Sequence, residues 1–254
     1  MLFNQYRTSP QEVISLFEKD IEFLENLYLW FEENDNNHDY DGKYLLALYQ
    51  NNNAFLTKYI HKVYEITPKY KLDDRFRKCR VFFDCDNYQE IFNIITNEVF
   101  SISQQHIREV ADVIECFTIK TQGEDVRTQK SKSWVLQYIE NNIGDKVRVQ
   151  CVFEACSNID VERRLEFVSC FLKRNSDFEF FKSLTLTDYP RGGWSGSVVR
   201  VYTSWIEYYK QLLPLLTGLS FINHKKLIQD RIDEIQKWII NAEVSEILES
   251  SDNR

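Results

Sequence analysis

A chain of 254 residues with formal charge −8, 43% hydrophobic and 28% charged residues carries enough apolar mass for one large core or two smaller ones. The acidic balance excludes a broad phosphate-binding face, which needs concentrated Lys and Arg, so nucleic acid is not an expected partner. The longest unbroken apolar run, Tyr44 to Tyr49, is far too short to span a bilayer, and Met1 to Arg7 has no signal-peptide core.

A soluble, cytoplasmic protein without a membrane partner is therefore the expectation. Cysteines at 79, 85, 116, 151, 156 and 170 contain no C-x-x-C pair and read as free thiols of a reducing compartment, with neither a disulfide frame nor a zinc site. The 15% aromatic share is high; in a helical protein such side chains fill the space between helices or line a binding surface.

In chain order, Ser9-Pro10-Gln11-Glu12 opens the first helix: Pro suits the first turn, and Glu12 can reach back to the cap. Ile14, Phe17, Ile21, Leu24, Tyr28 and Phe31 then predict one apolar stripe, ended by the acidic, Asn-rich segment 32–41. Further helices are predicted at about 43–51, 53–66, 72–84, 87–100, 103–121, 130–142, 145–158, 160–174 and 176–184. Gln122–Gln129 has a glycine and no stripe, which predicts a mobile connector between lobes 1–121 and 130–254 of a single helical-repeat domain, 1–254. Val147 to Cys151 alternates briefly, but Val152, Phe153 and Ala155 continue a helical stripe. After a glycine-rich loop come helices at about 198–217 and 223–241, with a short last one to about 249.

Several junctions look alike. Leu48 to Leu56 and Phe171 to Glu179 both end an apolar stripe, place Asn, and start a new stripe with an aromatic three residues later. Phe83 to Tyr88 and Ile139 to Asp145 are looser versions. Asn tolerates the conformation that stops a helix, and Asn, Ser or Asp caps the next, so short breaks fold neighbours back on each other. Phe55 and Tyr88 stand 33 positions apart, a helical-hairpin repeat length. The expected fold is all-α: about a dozen helices in antiparallel hairpins, forming an irregular HEAT/TPR-like solenoid.

Candidate sites divide by what their chemistry lacks. Asn37 to Gly42 resembles the front half of an EF-hand loop, but the twelfth position is Leu48 where a bidentate Glu is required, so no metal is expected. The basic runs Arg75, Arg77, Lys78, Arg80 and His224, Lys225, Lys226 read as solvated faces. Asp73 with Asp74, and Asp84 with Asp86, read as helix-end charges. Four histidines, none in H-E-x-x-H spacing, and no G-x-S-x-G elbow leave no catalytic constellation. Pro190 to Ser197 is the most unusual segment. It lacks the Lys and the preceding strand of a phosphate loop, so no nucleotide cofactor is expected. Its Arg191 and Trp194, with Arg200 just beyond, are residue types enriched in binding hot spots and are the partner-contact candidates.

Phe167 to Asn175, Phe181 to Leu184, Trp194 to Ser197, Leu212 to Leu219 and His224 to Lys226 together resemble the C-terminal helical-repeat regions of large bacterial STAND-type NTPases, defence proteins among them. The similarity extends over roughly the last two-thirds of the chain. It implies a sensor or scaffold fragment of a larger protein, whose ATPase and effector lie upstream. Protein–protein recognition without catalysis is the expected function, and self-association is compatible with it. The contrasting expectation is a helical enzyme with a dispersed active site, which requires a pocket of convergent titratable groups. A purely structural oligomerisation domain would require a large apolar patch.

Overall fold

The computed structural model describes residues 9–34, 37–118, 125–157, 159–187 and 198–252, with side chains to 244. Every regular element among them is helical, in thirteen α-helices joined by loops and four short 3-10 segments. The all-α class expected from the sequence holds. The chain divides into two compact units, Met1–Tyr138 and Ile139–Arg254.

The first unit begins with α1 (Pro10–Leu16) and α2 (Ile21–Glu33). Glu12 does reach back to the Ser9 amide, at 3.3 Å. The single stripe expected from Ile14 to Phe31 is broken. Phe17 closes the first helix on the Ile14 carbonyl, and Asp20 caps the second by accepting the Phe23 amide. Periodicity alone hides this break, because the apolar spacing resumes in register on the far side.

There follow α3 (Lys43–Asn51), α4 (Phe55–Ile66), α5 (Leu72–Phe76), α6 (Tyr88–Ile102), α7 (Ile107–Phe117) and α8 (Val126–Asn141). Helices two apart in sequence pack together: α1 on α3, α2 on α4, α4 on α6, α5 on α7. The aromatic residues Phe55 and Tyr88, matched in the sequence, are the first residues of α4 and α6.

The helix expected over 72–84 changes type after Phe76, and Arg77–Asp84 winds as a 3-10 helix. At three residues per turn, Phe76, Cys79 and Phe82 eclipse one another, and all three are fully buried. Beyond it lies the aromatic core. Phe92 stacks on Phe117 at 4.2 Å, Trp134 meets both edge-on at 5.6 Å, and Phe83 meets Phe92 at 4.7 Å. The Trp134 indole NH donates to Asn93, so the large ring is buried without stranding its polar edge.

This core corrects the expected connector. Residues 126–129 are helical, capped by Asp125 through the Thr128 amide at 2.8 Å; residues 119–124 lie outside the described part. The stripe escaped the sequence because its first inward residues, Thr128 and Ser131, are polar. Ser131 donates to the Phe117 carbonyl, Lys130 to the Phe83 carbonyl, and Arg127 grips Asp84 with three bonds of 2.7, 2.8 and 3.2 Å.

The run Arg75 to Arg80, expected as a solvated face, is turned largely inward. Glu32, on the buried face of α2, is fully shielded and pairs with Lys78, with Arg75 at 3.6 Å and Asn37 donating at 2.7 Å. Arg80 donates to the Cys116 carbonyl. Asp39, in the EF-hand-like loop, is also fully buried. It accepts the Tyr28 hydroxyl at 2.8 Å and the Tyr44 and Leu45 amides at 3.1 and 3.0 Å. Burial raises its pKa, and these three donors hold it back. The loop is thus a helix cap for α3. Gly42 is required there: its φ is +76°, and a β-carbon would lie 2.4 Å from the Lys78 carbonyl oxygen.

Two variants test this packing. Gly42→Ala combines a left-handed backbone with a clash against main chain, and is expected to cost about 2–4 kcal/mol in urea unfolding. Lys78→Met strands a buried carboxylate and is expected to cost about 3 kcal/mol, the low end for breaking a buried pair because Asn37 and Arg75 remain. Adding Glu32→Gln to Lys78→Met should recover part of that loss. If the double variant is less stable than the single one, the account of Glu32 as a compensated buried charge is wrong.

The second unit continues from the end of α8 through α9 (Lys146–Ala155), α10 (Val161–Leu172), α11 (Phe178–Lys182), α12 (Val198–Leu212) and α13 (Ile222–Asp252). Asp145, Asp160 and Asp177 cap α9, α10 and α11 through the amide three residues on, at 3.1, 3.0 and 2.6 Å. The two helices expected over 223–249 are one continuous helix, because no Gly or Pro interrupts 222–252.

His224, grouped with Lys225 and Lys226 in the sequence, parts from them in space. It is fully buried among Phe178, Phe181 and Phe221, with ring centroids 5.4, 4.9 and 5.1 Å away, and neither ring nitrogen makes a hydrogen bond of good geometry. Burial lowers its pKa, and the backbone and charge of Asp177 offset this only in part. The folded state thus holds the ring neutral while the unfolded chain takes up a proton near pH ~6.5. Stability is fully present above that pH and falls as pH drops through the folded pKa. His224→Phe is expected to flatten the decline in urea midpoint as pH falls below ~6.5; an unchanged slope would sink the assignment.

Candidate functional site

The second unit holds a cavity of about 350 Å³. Its main walls are α12 and α13, which pack along each other. On α12 the buried residues Trp205, Ile206, Tyr208, Tyr209 and Leu212 follow the three-and-four spacing of one helix face; on α13 Ile228, Ile232 and Ile235 do the same. Tyr202 lies between Trp205 and Trp238, at 5.5 and 5.6 Å, and the space beside the two indoles is left open.

Trp205, Tyr209, Leu227, Ile228, Ile235 and Trp238 give the cavity its apolar surface. Its polar groups come from several elements. Glu154 on α9 accepts the Thr185 hydroxyl at 2.7 Å, and the hydroxyls of Thr187 and Tyr209 lie 3.3 Å apart. Arg231 and Lys182 supply positive charge at the lining; each is about half exposed and paired on its own helix, Arg231 with Glu234 at 2.9 Å and Lys182 with Glu179 at 4.0 Å. A cavity of this size, lined by aromatic and aliphatic side chains on one side and by hydroxyl and charged groups on the other, has room for a side chain or a small ligand.

Nucleophiles near these helices are shut in. Cys151 is buried on α9, and burial pushes its thiol up to about 12, so it is protonated and inert at neutral pH. All six cysteines are free, five of them buried and Cys85 half-buried. Among the described residues, no group of three or more His, Cys, Asp or Glu side chains is arranged to hold a metal ion. No described helix is long and apolar enough to cross a membrane.

Of the three contact candidates read from the sequence, Arg191 and Trp194 lie outside the described residues. Arg200 is exposed on the first turn of α12, five residues before Trp205, and is not part of the cavity lining. Thr187, the last residue described before the glycine-rich segment, does line the cavity. Sequence reasoning missed Trp205, Tyr209, Arg231 and Trp238. Trp205 and Trp238 sit on the helices that follow the glycine-rich segment, and their pairing was the signal available.

No protein-family model, curated protein or solved structure matches this chain.

Proposed function

We propose that this chain is a protein-recognition module that receives a partner's apolar side chains in the cavity between α12 and α13. The observation that carries this reading is the composition of the cavity: two Trp and one Tyr around open space, with Arg231 at its rim. Trp, Tyr and Arg dominate binding hot spots because rigid rings bury large areas at small entropic cost and Arg pairs with acceptors at the edge. A volume of about 350 Å³ has room for one or two bulky side chains of a partner segment. Polar groups at the lining then set the orientation of the entering segment. On this reading the chain is a sensor or scaffold region of the kind its resemblance to STAND-type proteins implies, carrying recognition and not catalysis.

Trp238→Ala and Arg231→Glu test this, since both residues are partly exposed and removable without opening the core. Protein captured from native extract by the intact chain should lose at least about tenfold in occupancy with either variant, as for a hot-spot truncation. Equal capture by intact and variant chains, with melting curves unchanged, would falsify the cavity as the recognition site.

A further inference from the structure

We propose that the outward face of α2 in the first unit docks an amphipathic, basic helix of a partner protein. This surface stands independently of the cavity in the second unit.

α2 is built inside out. Its buried face carries Leu24 and Tyr28 together with two glutamates, Glu25 and Glu32. Both acids are compensated: Glu25 accepts Lys58 at 3.0 Å and Asn52 at 2.7 Å, and Glu32 has Lys78, Arg75 and Asn37. The outward face carries Phe23, Leu27 and Trp30, at i, i+4 and i+7 along one stripe. Phe23 is 50% and Trp30 51% exposed, and Leu16 at the end of α1 is 78% exposed. Phe17 stacks on Phe23 at 5.8 Å and Trp30 meets Phe31 edge-on at 5.1 Å, which fixes the ring orientations. A protein that puts glutamates inside and aromatics outside on one helix incurs a cost on both faces, so the outer stripe calls for an occupant.

Charge selects which occupant. Residues 10–42 hold ten of the 39 acidic residues of the chain and a single cation of the Lys or Arg type, Lys19. Lysines and arginine from later in the sequence compensate the acids turned inward, Glu25 and Glu32, and leave the outer ones in excess. Glu22 and Glu33 stand at the two ends of one edge of the stripe with Asn26 between them, and Glu18 and Asp20 lie in the turn before Phe23. All five of these residues are exposed. Glu33 pairs with Lys62, while Glu18 and Glu22 make no ion pair among the described residues. An anionic membrane surface would be repelled by this edge, and in a second copy it would face its own like charges. A helix with apolar residues at i, i+3 or i+4 and i+7, flanked by Lys or Arg, satisfies both the rings and the acids. Two turns, roughly 10 Å of axis, cover Phe23 to Trp30.

The probe is a fluorescein-labelled amphipathic peptide of roughly 18 residues, Leu on one face and Lys on the other, long enough to form a helix when bound. Its control replaces every Lys by Glu. Anisotropy titration of the full chain should show saturable binding of the Lys peptide and none of the Glu peptide. Phe23→Ser and Trp30→Ser should each weaken binding by about tenfold. Glu18→Lys with Glu22→Lys should do the same while leaving every apolar contact in place, so the idea stays testable if a Ser variant melts early. Failure of the Lys peptide to bind, equal binding of the Glu peptide, or indifference to all these variants would overturn the proposal. So would binding to phosphatidylglycerol vesicles that depends on Trp30, or a sedimenting dimer lost in Trp30→Ser, which would assign the stripe to a membrane or to a second copy.

Discussion

The first unit is organised around a carboxylate that has no access to water. Glu32 is fully buried on α2, and an unpaired charge there would be prohibitive. Its compensation comes from three places in the chain: Asn37 in the loop after α2, Arg75 in α5, and Lys78 in the 3-10 helix. Satisfying this one group therefore fixes the distance from α2 to a segment more than forty residues away. The same geometry presses the Lys78 carbonyl against Gly42, which is why that loop needs a residue without a side chain. Asp39, bonded to Tyr28 and to the start of α3, closes the arrangement from the other side.

On the outward side of α2, Phe23, Leu27 and Trp30 form a stripe edged by Glu22 and Glu33. In the second unit Trp205 and Trp238 line a cavity beside the seam of α12 and α13. Both units thus present aromatic side chains in reach of an incoming chain. The proposed recognition role rests on this common feature.

Much of the architecture was legible because helix boundaries are local chemistry. Asp145, Asp160 and Asp177 begin helices for reasons contained in four residues each. The two matching junctions proved alike in detail: Asn52 accepts the Ala54 amide and Asn175 the Asp177 amide, at 3.1 and 2.8 Å, and Phe55 and Phe178 each start the next helix. Errors arose where the inward face was polar. Thr128 and Ser131 concealed the first turns of α8, and Glu25 and Glu32 would pass for solvent residues on any apolar-stripe reading. Of the cavity, only its neighbourhood was visible, through the glycine-rich segment and Arg200.

Helical class, caps and most helix spans could be read from the chain alone, since they depend on residues three or four apart. The absence of a bilayer-spanning run among the apolar segments could be read the same way, because it depends only on their length. Packing decided which basic residues serve as counter-ions to buried carboxylates, which histidine is sealed among phenylalanines, and where a cavity opens beside two tryptophans. Those outcomes rest on contacts between residues tens of positions apart. A half-buried Lys78 and a solvated Lys226 are the same side chain until the fold brings Glu32 to one of them.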